Sequence, residues 1–151
     1  MTGAERPPRG AGLIDTNVVI LREWLEPSAL PDEVAISAVT LAELSAGPVS
    51  VAGDDAAAQA ERARRMLILQ RVESGFDPIP FDAECARAYG QLVGAVLAIG
   101  RMPRRRLADL QIAATAVANG LPLFTTNPDD FLGLGPWLEV ISVSRPGPAP
   151  A

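Results

Sequence analysis

Four acidic side chains of this 151-residue chain stand where a helix follows a strand, and that placing suggests a chemistry. Asp15 closes the apolar run Gly12-Leu13-Ile14 and is followed by Thr16, Asn17 and a second apolar run, Val18 to Leu21. The pattern reads as a buried strand giving way to a helix. It puts the carboxylate at the carboxyl edge of a sheet, where open α/β sheets place their ligands. Glu43 lies early in a helix just after the strand Val34-Ala35-Ile36-Ser37, and Asp109 in the first turn of a very apolar helix starting near Leu107. Asp130 follows the strand Leu121 to Phe124, within Thr125-Thr126-Asn127-Pro128-Asp129-Asp130-Phe131. Carboxylates gathered at one edge repel each other, so a shared site favours one or two hard divalent cations, Mg2+ or Mn2+, held by oxygens. Such a site suits phosphodiester hydrolysis, in which the metal acidifies a bound water and offsets charge developing on the phosphate.

Each acid also has a purely structural explanation. Asp15, Thr16 and Asn17 are all good helix caps. Thr40-x-x-Glu43 matches a capping box. Asp109 complements a helix dipole, worth ~0.3–1 kcal/mol at an exposed site. Asn127-Pro128-Asp129-Asp130 is a turn signal. Any one explanation suffices for its own residue. Four separate junctions, each delivering an acid or amide to one edge, favour a common site.

Absences narrow the chemistry. The chain has no histidine, and all 13 of its basic residues are arginine. Ser-His-Asp and Cys-His mechanisms, imidazole zinc sites, and Schiff-base or Walker lysines are therefore excluded. The single Cys85 can form no internal disulfide and reads as packing, in keeping with a cytoplasmic protein. A net charge of −5 speaks against non-specific nucleic-acid binding by the whole surface but leaves room for a local basic patch. Arg104, Arg105 and Arg106 form one just upstream of Asp109, either to grip a polyphosphate backbone or as solvated loop. No apolar run is long enough to span a bilayer.

The elements that must position these groups alternate. Helices are expected from Asp15 to about Trp24, Val39 to Ser45, Asp54 through Glu73, Ala83 to Ile99 and Leu107 to Asn119. In the third, Ala63, Met66, Leu67 and Val72 mark an apolar face, and Arg62, Arg64, Arg65 and Arg71 a solvated or partner-facing one. Phe76 to Pro80 reads as a short strand or turn, and Trp137 to Val143 as an edge strand. This order predicts an α/β fold with a central parallel sheet covered on both faces. Residues 1–151 are expected to form one domain with its core at about 12–143 and flexible ends at 1–10 and 146–151.

With these pieces in place the chain resembles the PIN-domain ribonucleases and, within them, the VapC toxins of type II toxin–antitoxin pairs. The resemblance is carried by Leu13-Ile14-Asp15-Thr16-Asn17, Val39-Thr40-Leu41-Ala42-Glu43-Leu44, Arg106-Leu107-Ala108-Asp109-Leu110-Gln111-Ile112-Ala113-Ala114 and Leu123-Phe124-Thr125-Thr126-Asn127-Pro128-Asp129-Asp130-Phe131, in that order. It implies a three-layer α/β/α sandwich and a Mg2+- or Mn2+-dependent RNA endonuclease. It also implies a homodimer and neutralisation by a cognate VapB antitoxin. Carried over, Asp15 and Asp109 would ligate the metal, Glu43 would act through the metal or its water, and Thr125 would orient ligands or water. The family places its fourth acid either two residues after that threonine or directly before the phenylalanine. Here those positions hold Asn127 and Asp130, with Asp129 a nearby substitute, and Asp130 is preferred. The uncharged Asn127 points to one tightly held ion.

Other functions are compared on the same residues. A receiver domain or haloacid-dehalogenase-like phosphatase also has a strand-end aspartate but needs a lysine, which excludes both. A PIN-like binding module without activity is disfavoured by the joint presence of Asp15, Glu43 and Asp109. A PIN nuclease of RNA maturation without an antitoxin stands as the alternative; a small overlapping upstream gene would favour the toxin.

Overall fold

The computed structural model describes residues 10–147, leaving out the side chains of Arg104 and Arg105. The expected flexible ends therefore fall largely outside the described residues, although Gly10 is held, its N–H donating to Asp32 and its carbonyl accepting from Asp32 and Glu33.

Four short parallel strands, β1 (Ala11–Ile14), β2 (Glu33–Ala35), β3 (Leu123–Thr125) and β4 (Val140–Ser142), lie in the order β2-β1-β3-β4. The chain leaves β1 towards β2, crosses back over the sheet, and resumes at β3 on the other side of β1. The order thus reverses between β1 and β3. Crossovers diverge at such a switch point and leave a crevice at the carboxyl ends of the strands.

Side chains alternate across a strand, so one residue of each pair faces each layer. Leu13 and Leu123 face a core built with α4 (Ala83–Ala98) and α5 (Leu107–Ala118). Ile14 and Phe124 face the opposite core, with α1 (Thr16–Leu21), α2 (Ala38–Ala46) and α3 (Ala56–Gly75). The result is the expected α/β/α sandwich. The Phe124 ring of β3 lies across position 12 of β1, which suits glycine: a Cβ there would collide with the ring.

Several boundaries differ from expectation for local reasons. The α-helix after Asp15 ends at Leu21, and Arg22–Trp24 continues it as a tighter 3-10 turn. Phe76 to Pro80 contributes only a single bridge, Ser37 to Ile79. The last strand is confined to Val140–Ser142, because the Trp137 and Leu138 amides both donate to the Leu134 carbonyl and close a turn. In α3 the buried positions are Ala58 and Val72, with Ile68 and Leu69 packed beside them, while Met66 and Leu67 are exposed. Its inward face is thus rotated from the one the apolar spacing marks. Cys85 is buried, as expected of a packing residue, and burial pushes its thiol up.

Candidate metal centre

Asp15 is both cap and site residue. Its backbone is extended, it sits directly beyond β1, and one carboxylate oxygen, Oδ1, accepts the Val18 N–H at 2.9 Å as the N-cap of α1. Its amide donates to the Phe124 carbonyl of the neighbouring strand at 3.1 Å, which pins the residue at the switch point. Only 5% of it is exposed. Burial pushes its carboxyl up; the Thr125 hydroxyl and the Val18 N–H oppose this, and the charges of Asp130 and Glu43 add to it.

Glu43 is not the capping-box residue its spacing suggested. The cap of α2 is Ser37, whose hydroxyl accepts the Val39 N–H at 3.0 Å, so the helix starts earlier and Glu43 lies beyond its first turn. There it accepts a 2.6 Å hydrogen bond from the Thr16 hydroxyl, which also lies 3.1 Å from the buried Thr40 hydroxyl. This short polar chain ties the start of α1 to α2 and draws Glu43 towards Asp15. A second buried pair, Ser37 with Thr115 at 3.2 Å, ties the cap of α2 to α5.

Asp109 lies in the first turn of α5, as expected. Its carboxyl is pushed up to about 6, first by burial, then by the charges of Asp130, Glu43 and Asp15, with Arg106 acting the other way. Asp15, Glu43, Asp109 and Asp130, distant in sequence, thus sense one another's charge at one edge of the sheet.

The three candidates for the fourth position have different surroundings. Asp130 lies in the 3-10 turn Pro128–Phe131, and its charge is the largest ionic contribution on both Asp15 and Asp109. Its partner is Arg106, expected to grip RNA but here paired with this carboxylate. Asn127 instead turns its side-chain oxygen to Arg145, while its amide donates to the Thr125 hydroxyl at 2.9 Å. The backbone carbonyl of Asp129 accepts from Arg101 at 2.8 Å. The side chains of Arg104 and Arg105 are outside the described residues.

The crevice itself is a cleft of about 330 Å³ with Asp15, Glu43 and Asp109 in its lining. Its lining also holds Arg64 and Arg65 of α3, which the sequence reading placed on a solvated or partner-facing surface. Arg65 donates to the Gly47 carbonyl and to Glu61, at 2.9 and 2.8 Å, and so fastens α3 to the end of α2. Arg64 pairs with the same Glu61, whose carboxyl the two arginines hold down at about 2. No local motif marks either arginine, because their position follows from how α3 lies across the crevice.

The donor set fits a hard cation: oxygens only, several acids, and two of them raised by burial and mutual repulsion. Among the described residues no three acids form a ready-made cage.

Comparison with known proteins places this geometry. The PIN domain family matches residues 13–134. Ribonuclease VapC5 of Mycobacterium tuberculosis is 38% identical over 127 residues, covering 82% of this chain and 87% of that protein. Ribonuclease VapC4 of the same organism is 34% identical over 112 residues, covering 74% and 78%. Among solved structures, a member of the VapBC family of toxin–antitoxin systems, VapBC-5 from M. tuberculosis, superposes with a TM-score of 0.75 at 35% identity. It covers 89% of this chain and 99% of that one. With an acidic switch-point crevice on a matching fold, and relatives this close over most of their length, the chain belongs to the PIN-domain family, in its VapC group.

Proposed function

We propose that this protein is an endoribonuclease toxin that hydrolyses phosphodiester bonds of cellular RNA and is neutralised by a cognate VapB antitoxin. The observation that carries the reading is an acidic crevice at the switch point, with Asp15, Glu43 and Asp109 in its lining and the charge of Asp130 acting on both aspartates, in a chain without histidine or lysine. Kinship with ribonucleases VapC5 and VapC4 supports the substrate class, and kinship with the VapBC-5 complex supports the partner.

In this reading Asp15 and Asp109 hold one Mg2+ or Mn2+. When bound, the cation supplies a water acidified for attack and offsets charge on the phosphate. Asp15 would hold the ion with the same carboxylate whose Oδ1 accepts the Val18 N–H, so ligand and cap would coexist in one side chain. Glu43, steadied by Thr16, orients water at the site, and Thr125 fixes the orientation of the Asp15 carboxylate. Asp130 is the fourth acid, with Arg106 limiting its repulsion of Asp109. Asn127 and Asp129 support the turn that carries it. Arg104 and Arg105 contact the RNA backbone at the rim.

The protein works in the cytoplasm as a homodimer. Exposed Leu97, Ile99 and Leu107, at the end of α4 and the start of α5, support a self-association surface. Among the described residues no helix is long and apolar enough to cross a membrane.

Purified protein should cleave RNA in Mg2+ or Mn2+, stop on chelation, and be blocked by the antitoxin encoded beside it. Asp109→Asn should be folded and inactive. Undiminished metal-dependent cleavage by that variant would remove Asp109 from the site. Sequencing RNA 5′ ends after induced expression, with and without the neighbouring gene, identifies the target.

A further inference from the structure

The cleft does not end at Arg64. Arg64, Ile20 and Ile68 line both it and a second groove of about 470 Å³, which runs between the segment around Trp24 and α3. Charge sets this groove apart. On a chain of net charge −5, its lining holds Arg22, Arg64 and Arg71 against the single carboxylate of Glu23. It also holds aromatic surface: Trp24 is 61% exposed, and the Arg22 guanidinium lies over the Phe76 ring, 5.1 Å from its centroid.

Guanidinium groups along an apolar trough with an open aromatic face suit a single nucleic-acid strand. Phosphates meet the cations, and any base can stack on the ring. Paired bases offer no free face, so the same surface disfavours duplex RNA. We infer that this groove is a substrate subsite for the unpaired nucleotides flanking the scissile phosphate, with Arg64 holding the phosphate between cleft and groove and Trp24 stacking on a base. This rests on the ribonuclease reading above.

The resting ion pairs are compatible with that role. Arg64 is paired with Glu61, and Arg71 with Glu23; in both pairs the arginine side chain is about half exposed. Exposed pairs of this kind contribute little, so a phosphate can replace the glutamate. Arg65 differs, since its bond to the Gly47 carbonyl makes it a fastening of α2 to α3 rather than a substrate contact.

The test measures binding, not turnover. The Asp109→Asn protein is titrated with fluorescently labelled RNA of mixed, unstructured sequence, and separately with a blunt-ended RNA duplex. Adding Trp24→Ala should weaken binding to the unpaired RNA about tenfold and leave the duplex unaffected. Arg64→Ala should weaken binding and flatten the slope of log K against log salt by about 0.7. Glu23→Gln, which frees Arg71, should tighten it. A merely structural role for Trp24 would not distinguish unpaired from paired RNA, and melting curves of each variant verify the fold. If the parent cleaves RNA while Trp24→Ala and Arg64→Ala bind it unchanged, the subsite is refuted. It is equally refuted if those changes spare RNA and abolish antitoxin capture, which would assign the groove to a peptide. Failure of the parent to bind or cleave any RNA would instead overturn the ribonuclease reading, and the subsite with it.

Discussion

Removing one of four mutually repelling carboxylates should stabilise the metal-free fold at neutral pH while abolishing catalysis. The Asp109 carboxyl is pushed from 3.8 up to about 6 by burial and by the charges of Asp130, Glu43 and Asp15. Between those values the folded chain keeps a proton that the unfolded chain has released. Stability therefore falls as pH rises through this window and stays lower above it. The gap corresponds to at most ~3 kcal/mol. Because the side chain is partly open to solvent, screening reduces the expectation to ~1–2 kcal/mol. Asparagine has nearly the same shape and cannot ionise. In chelator at pH ~8, Asp109→Asn should therefore melt several degrees above the parent, ~2–6 °C for a chain of this size. At pH ~4.5 about two-thirds of that gap should have closed, since the folded carboxyl is then protonated while the unfolded one is still largely ionised. Mg2+ should raise the melting temperature of the parent at pH ~8 through linkage, and that of the variant far less. Thermal melts at both pH values, with chelator and with Mg2+, measure all of this. A parent at least as stable as the variant at the higher pH in chelator would refute burial and repulsion of a charged Asp109 as the cause, and equal stabilisation of both by Mg2+ would remove Asp109 from the ligands.

Other substitutions separate positioning from packing. Glu43→Gln keeps an oxygen for the Thr16 hydroxyl, so it should fold normally yet cleave RNA far more slowly; wild-type turnover would exclude Glu43 from the reaction. Thr125→Val deletes the hydroxyl that holds the Asp15 carboxyl down and that accepts the Asn127 amide. The acid limb of the pH–rate profile should move to higher pH, because Asp15 then needs less acid to protonate, and an unmoved limb would contradict this role. Gly12→Ala drives a methyl group into the Phe124 ring between β1 and β3. Overpacking of this kind costs about 1–3 kcal/mol, measurable by urea denaturation, and an unchanged midpoint would show that the ring can shift.

The sequence by itself determined the layers and the list of acids. Alternation along the strands assigns Leu13 and Ile14 to opposite faces, and β-α alternation points to a parallel sheet with Asp15 and Asp130 just beyond its strand ends, whereas the helix of Asp109 follows α4 with no strand between. These are local patterns, readable without knowing where the chain goes next. What only the tertiary structure decided depends on contacts between distant segments. The cap of α2 is Ser37, not Thr40, because Thr40 is drawn into the contact with Thr16, and Glu43 is thereby turned to the site. Arg106 pairs with Asp130, a residue brought near only when β3 returns beside β1. Arg64 and Arg65 reach the crevice because α3 crosses it, although their helical spacing alone marks plain solvent-facing surface. Asp15 joins both levels: its type and position announce a helix cap, while its burial and the neighbouring charges that make it a candidate metal ligand arise only where distant segments meet.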